Sequence, residues 1–174
     1  IDGNLTLLSG GTITDTNSST VTVKGTLSAS TDASASAITL NDLAVTGAFT
    51  LAPNSTGAVT IVNAANLILA ASTMGGTFSG TATTGDITQS GALTITGTST
   101  LVTSANHGTI TLTNTGNALT GKLLITTNDD SPGTVGTVNI DGGTTNLIIG
   151  LSTIDGNLTL RSGGTITDDG IATV

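Results

Sequence analysis

The chain repeats its own opening near its end. Residues 1–14 read IDGNLTLLSGGTIT and residues 154–167 read IDGNLTLRSGGTIT; thirteen of fourteen positions are identical, and Leu8 against Arg161 is the one difference. A weaker copy lies between them, where Met74-Gly-Gly-Thr-Phe-Ser-Gly aligns with Ile1-Asp-Gly-Asn-Leu-Thr-Leu. Other blocks keep the same phase. Val21-Thr-Val aligns with Leu93-Thr-Ile, Ile38-Thr-Leu with Ile110-Thr-Leu, Val59-Thr-Ile with Val138-Asn-Ile, and Asn66-Leu-Ile-Leu with Asn146-Leu-Ile-Ile. The unit is about 73 to 80 residues, giving repeats 1–73, 74–153 and a partial 154–174. Self-similarity at a long fixed period marks solenoids, propellers and arrays, in which like elements stack on like.

Within each unit the pattern has a period of two. Leu5 and Leu7 flank Thr6, Val21 and Val23 flank Thr22, Leu93 and Ile95 flank Thr94, and Ile110 and Leu112 flank Thr111. Alternating aliphatic residues and Thr are half-buried strands. Turn formers such as Ser9-Gly-Gly, Asn114-Thr-Gly-Asn and Asn128-Asp-Asp-Ser-Pro-Gly separate them. No helical period is visible. A sandwich has no reason to reproduce its sequence at this spacing, and a propeller blade is shorter and carries aromatic signatures, whereas aromatics here are 1%. The pattern therefore predicts an all-β chain folded as one continuous parallel β-helix, a β-solenoid of about 9–10 coils. Each repeat would hold four coils of about 15–21 residues, beginning in the first copy near Ile1, Val21, Ile38 and Val59. At a strand spacing of about 4.8 Å the rod would be about 45 Å long. The expected core stack is Leu5, Leu7, Val23, Ile38, Leu40, Phe49, Ile61, Phe78, Ile95, Ile110, Leu112, Ile125, Ile140, Leu147 and Leu158. Phe49 aligns with Leu123, Phe78 with Leu5 and Leu158, and Met74 with Ile1 and Ile154, so the rare bulky residues fall on apolar repeat positions.

Composition narrows the function classes. The formal net charge is −8, with Lys24, Lys122 and Arg161 the only basic residues besides His107. Such a chain repels phosphate and lacks the basic footprint of a nucleic-acid binder. It has no polybasic membrane patch and no apolar run of membrane-spanning length, so no membrane insertion is expected. Cysteine is absent, which rules out disulfides and thiolate metal sites. A Cys-free, Lys-poor, Thr/Gly/Asn-rich chain suits export in an unfolded state. Sequons at Asn4, Asn17, Asn54 and Asn157 are chance matches in a Thr-rich sequence.

Candidate chemistry is sparse. His107 is the only histidine and sits in a turn sequence, Ser104-Ala-Asn-His-Gly; a catalytic role would need a nucleophile or carboxylate poised beside it, and the aligned region of the first copy has no His, so a solvated turn residue is expected. Asp129-Asp130 and Asp168-Asp169 are the carboxylate pairs. Paired acids serve β-helix polysaccharide enzymes or hold calcium, but these pairs fall in turns, lack counterparts in the other copies and have few cations nearby. We expect no enzyme activity, no catalytic residue, no metal site and no cofactor. The pairs Thr12/Thr14, Thr20/Thr22, Thr94/Thr96, Thr109/Thr111 and Thr165/Thr167 raise an ice-binding alternative. That alternative needs one pair per coil on one face, and these come from different coil positions. A β-helix polysaccharide-active enzyme is the second alternative.

Three segments resemble the repeats of filamentous haemagglutinin-type proteins, the large exoproteins of two-partner secretion: DITQSGALTITG (residues 86–97), ITLTNTGNALTG (110–121) and residues 151–167 with their GNLTLRSGGTIT core. The resemblance covers most of the chain and implies a right-handed parallel β-helix, export to the bacterial cell surface, and a role as adhesin, stalk or filament. Its partners would be neighbouring repeats or copies of itself end to end, together with a host or neighbour-cell surface. Because both ends of the sequence carry a repeat motif rather than a polar cap, the chain is expected to be a segment of a longer array.

Overall fold

The computed structural model describes residues 1–16, 19–128 and 135–170 of the 174-residue chain. All regular structure among them is β. The strands are β1 (Leu5–Ser9), β2 (Ile13–Thr14), β3 (Val21–Val23), β4 (Leu27–Thr31), β5 (Ile38–Val45), β6 (Phe49–Ala52), β7 (Val59–Asn63), β8 (Leu67–Leu69), β9 (Ser72–Met74) and β10 (Phe78–Ala82). They continue as β11 (Ile87–Gln89), β12 (Leu93–Ile95), β13 (Ser99–Asn106), β14 (Ile110–Leu112), β15 (Ala118–Leu119), β16 (Lys122–Asn128), β17 (Val138–Asp141), β18 (Leu147–Ile149), β19 (Leu158–Arg161) and β20 (Ile166–Asp168).

These strands build two long parallel sheets that share one core. The first runs β1-β4-β6-β8-β11-β14-β17-β19 and the second β2-β5-β7-β10-β13-β16-β18-β20. The chain alternates between them, adding one strand to each per coil, so the fold is a parallel β-solenoid. Eight strands per sheet are seven coil-to-coil steps, and at about 4.8 Å per step the stack is roughly 34 Å long. The expected 9–10 coils are therefore too many. One of the shortest coils runs from Val59 to its stacked partner Phe78, and the longest from Ile110 to Val138. Four of the seven steps on the first sheet and three of the seven on the second thus exceed the 15–21 residues read from the sequence. The cause is that each coil uses two similar strand blocks, one per sheet, and alternation alone does not say which sheet a block joins.

The same ambiguity explains the middle copy. Leu5 and Leu158 lie on the first and last strands of the first sheet, seven steps apart, but Phe78 lies in the second sheet, between Val59 and Ser99. Phe78 is thus not stacked with Leu5 and Leu158. Likewise Phe49 sits on β6 in the first sheet and its sequence match Leu123 on β16 in the second. The step from Leu5 to Phe78, like that from Phe49 to Leu123, is three and a half coils, so these matched blocks form opposite faces.

Strand alternation places the core. Val23, Ile38, Leu40, Phe49, Ile61, Phe78, Ile95, Ile110, Leu112, Ile125, Ile140 and Leu147 are buried in one continuous cluster, and Leu5, Leu7 and Leu158 are half-buried against it at the two ends. Phe49 and Phe78 are 0% and 1% exposed. Removing a large apolar side chain from water in this way contributes about 1.5–3 kcal/mol each.

Glycine at the corners lets the coils approach. The residue two before the first inward side chain of the first sheet is Gly in seven coils: Gly3, Gly25, Gly47, Gly85, Gly108, Gly136 and Gly156. Gly25 N donates to Gly3 O, Gly47 N to Gly25 O and Gly156 N to Gly136 O, each at 3.1 Å. A Cβ on Gly136 would stand 2.6 Å from Gly108 O, and one on Gly156 2.8 Å from Gly136 O. The second sheet has its own column in Gly57, Gly76, Gly97 and Gly121, again two residues before an inward position.

Candidate functional site: corners, flanks and faces

A short third sheet closes one flank of the solenoid, in the order β15-β12-β9. These strands lie where the chain passes from the first sheet to the second. Earlier in the chain the extra strand lies on the other passage: β3 follows β2 and pairs with the end of β5, Val21–Val23 against Leu43–Val45. The side chains Val23, Leu43, Val45, Met74, Leu93, Ile95 and Leu119 fill these flanks and are buried.

Buried polar side chains are committed to the backbone. Asn63, fully buried, accepts from Val45 N and donates to Val45 O and Asn66 O. Asn117, 3% exposed, accepts from Leu93 N and donates to Asp141 O. Ser72 Oγ accepts from Leu51 N and donates to Ala70 O; Ser152 Oγ does the same with Ile125 N and Gly150 O. Thr31 and Thr103 close turns by donating to Ser36 O and Gly108 O. Buried polar atoms left unpaired would cost about 1–3 kcal/mol each, so these residues satisfy coil edges. Their role is invisible in the sequence, because Asn and Ser between strand blocks look like ordinary turn formers.

Carboxylates and amides also bridge consecutive coils. Asn4 Oδ1 accepts from Thr26 N, Asn66 Oδ1 from Asp86 N, Asp86 Oδ1 from Thr109 N, and Asn146 Oδ1 from Thr165 N. Each acceptor sits one residue before a strand, at the corner. Asp15 serves a special position. β5 carries a register shift between Leu40 and Leu43, and Asp15 Oδ2 accepts from the freed amides of Asn41 and Asp42.

The residues singled out for chemistry are dispersed. His107 is half-buried in the turn after β13 with φ of 66°; Gly108 N closes that turn on Ala105 O. Asp168 accepts from Gly170 N, and Asp169 pairs with Lys122 Nζ at 2.7 Å. Asp129-Asp130 and Asn17 lie outside the described residues. Among the described residues, no three His, Cys, Asp or Glu side chains gather as a metal site, and no helix is long and apolar enough to cross a membrane. The Thr-x-Thr pairs lie on separate elements. Thr14 and Thr167 are on the end strands of the second sheet, Thr22 is on β3, Thr94 on β12 and Thr111 on β14.

The two outer faces differ. Outward positions of the first sheet include Thr6, Thr50, Thr111, Asn139 and Thr159, all exposed. The second sheet presents a column of five hydroxyls in register, Thr14–Thr39–Thr60–Ser79–Thr100. The column then turns apolar at Leu124, the next residue in register. At the first coil the core opens into a cavity of about 590 Å³ lined by Ile1, Leu5, Leu7, Ile13, Val21 and Leu43, among others.

This is a repeat protein with a β-solenoid fold. A family model described as repeats of unknown function (DUF5649) matches residues 56–126, from the turn before β7 into β16. That is less than half of the chain and covers about three coils. No curated protein and no solved structure matches the chain.

Proposed function

We propose that this chain is a structural and adhesive repeat segment of a long secreted bacterial cell-surface protein, an adhesin, stalk or filament. The observation that carries the reading is the way the polar residues are used. Buried Asn63, Ser72, Asn117 and Ser152 all bind coil backbone, while the long faces carry mostly Thr, Ser and Asn with few charges. Such a body gives length and surface rather than a reaction centre. The resemblance to filamentous haemagglutinin-type repeats supports the same role, with an extracellular location, no enzyme activity and no cofactor. Neighbouring repeats or further copies continue the stack, and the faces meet a host or neighbouring cell. The test is protease shaving of intact cells producing the full-length protein. Solenoid peptides, including those from residues 56–126, should be released from unbroken cells; their recovery only after lysis would refute the reading.

An ice-binding solenoid is the second reading, favoured by the hydroxyl column on the second sheet. The neighbouring outward column, Asn41, Val62, Thr81 and Val102, is not a rank of Thr, and the β5 irregularity breaks it. We expect no thermal hysteresis; hexagonal ice faceting that disappears in Thr60→Tyr would reverse the order.

A further inference from the structure

The flank sheet ends inside the stack, and its end leaves a recess on the side of the solenoid. In the coil that begins at Ile110, the passage from Leu112 to Leu123 carries β15. In the next coil the passage from Ile140 to Leu147 shrinks to a single antiparallel bridge, Gly143 to Ala118. The passage after it, from Leu160 to Ile166, is shorter still. Gly143 makes the tight corner with φ of 69°, and a Cβ there would collide with Asn117 O. The step holds a cavity of about 360 Å³ lined by Thr115, Asp141, Gly143, Thr144, Arg161 and Ser162, among others. Three consecutive coils supply these residues, so the recess lies on the flank and not on an end of the stack.

Arg161 is the one arginine in the chain and the single difference between residues 154–167 and their near-copy 1–14, where Leu8 stands. Lys24 and Lys122 hold Asp2 and Asp169, whereas Arg161 makes no ion pair among the described residues. Its ladder partner is Asp141, whose Oδ1 accepts from Gly143 N at 2.8 Å. Ser162 Oγ donates to Thr145 O and accepts from Gly164 N, which fixes the corner beside Arg161. A guanidinium left uncommitted in a chain of net charge −8 keeps its planar fork for a carboxylate from outside. Asp141 beside it repels a doubly charged phosphate, but its second oxygen accepts from a neutral hydroxyl. The exposed Thr115 and Thr144 offer hydroxyls of their own. We propose that this recess binds a sugar acid, with Arg161 forking the carboxylate and Asp141, Thr115 and Thr144 meeting the hydroxyls next to it. The volume is at the small end for ligand pockets and suits a single sugar unit. The proposal stands on the recess alone and not on the surface-repeat reading.

A single arginine gives a single Nε–Hε signal, so nuclear magnetic resonance reads the site directly. In the 174-residue protein, glucuronate should shift that signal and the amides of Gly143, Thr144 and Ser162 along one saturable curve. Glucose and acetate, which each carry half of the ligand's chemistry, should leave them in place at the same concentrations. Arg161→Leu installs the residue of the first copy; it should raise the Kd about tenfold or more, read on the remaining amides, with the rest of the spectrum unchanged. Arg161→Lys keeps the charge without the fork and should fall between the two. An oligogalacturonate separates the sources. A tighter curve than that of glucuronate marks a unit of an acidic polysaccharide, and a weaker or absent one a free sugar acid. No shift at Arg161 with either probe, a response to acetate or inorganic phosphate as large as that to glucuronate, or an unchanged Kd in Arg161→Leu would overturn the proposal.

Discussion

The first three coils and the later coils are built from matching sequence blocks, yet they are closed on opposite flanks. In the early region Val21–Val23 and the end of β5 line the passage from the second sheet back to the first. In the later region Ser72–Met74, Leu93–Ile95 and Ala118–Leu119 line the passage from the first sheet to the second. Val21-Thr-Val and Leu93-Thr-Ile are the same block, one repeat apart. The difference teaches that the half-coil is the unit: a glycine corner, a short strand with two inward aliphatics and a turn. Such a unit fits either sheet, so a repeat of three and a half coils changes face without breaking the core.

The largest expected effects test that equivalence in the buried flanks. Val45→Asp and Ile95→Asp place an uncompensated carboxylate in the early and late flanks, where the native side chains are 0% and 1% exposed. Each should cost several kcal/mol, about 4 or more, and abolish cooperative unfolding by circular dichroism at ambient temperature. Leu112→Asp should match them. Tolerance at one flank only would mean that the two flanks are not equivalent.

The glycine corners come next. Gly47→Ala, in the first-sheet column, and Gly97→Ala, in the second-sheet column, drive a Cβ into the coil beneath, within 2.9 Å of Thr26 N and 2.7 Å of Thr77 N. Both should lower the urea midpoint by an amount equivalent to about 1–3 kcal/mol. Gly11→Ala, at the same kind of corner but with nothing within 4 Å, should change it by less than about 0.5 kcal/mol. An equal loss at Gly11 would show that the cost is conformational and not one of coil stacking.

Asn63→Ala and Asn117→Ala strip the backbone partners from one early and one late flank. Losses of about 1–3 kcal/mol apiece are expected from chemical denaturation. The Lys122–Asp169 pair joins β16 to the last coil, and its side chains are 38% and 11% exposed. Lys122→Met should cost no more than about 1 kcal/mol.

Strand positions, inward residues and the solenoid architecture were legible because alternation and repetition are both written in the sequence. Leu5-Thr-Leu, Ile38-Thr-Leu and Ile110-Thr-Leu announce strands, and Phe49 and Phe78 occupy aliphatic positions of their repeats. The number of coils was not legible, because period two is the same on both sheets and coil length varies with the loops. The structural role of Asn63 and Asn117 was hidden for a related reason. An amide that satisfies a neighbouring coil looks, in sequence, like a turn residue, and only the stacking register reveals that its partner is Val45 or Leu93, a full coil earlier. The candidate site was hardly legible: His107 and the Asp pairs stand apart in the sequence, and neither alternation nor repetition marks which residues come together.

The alternation of faces is tested most directly by two distances between spin labels. Thr50, Thr111 and Leu124 all point outward, the first two from β6 and β14 of the first sheet and the third from β16 of the second. Thr50 and Thr111 are three coil steps apart on one face, about 14 Å along the axis, whereas Thr50 and Leu124 lie across the core, with roughly 10 Å of sheet separation and both label arms added. Pulsed electron resonance should find the Thr50–Thr111 distance the shorter by about 10 Å or more. If matched blocks stacked on one face, four coils to the repeat, the order of the two distances would reverse, and the half-coil account would be contradicted.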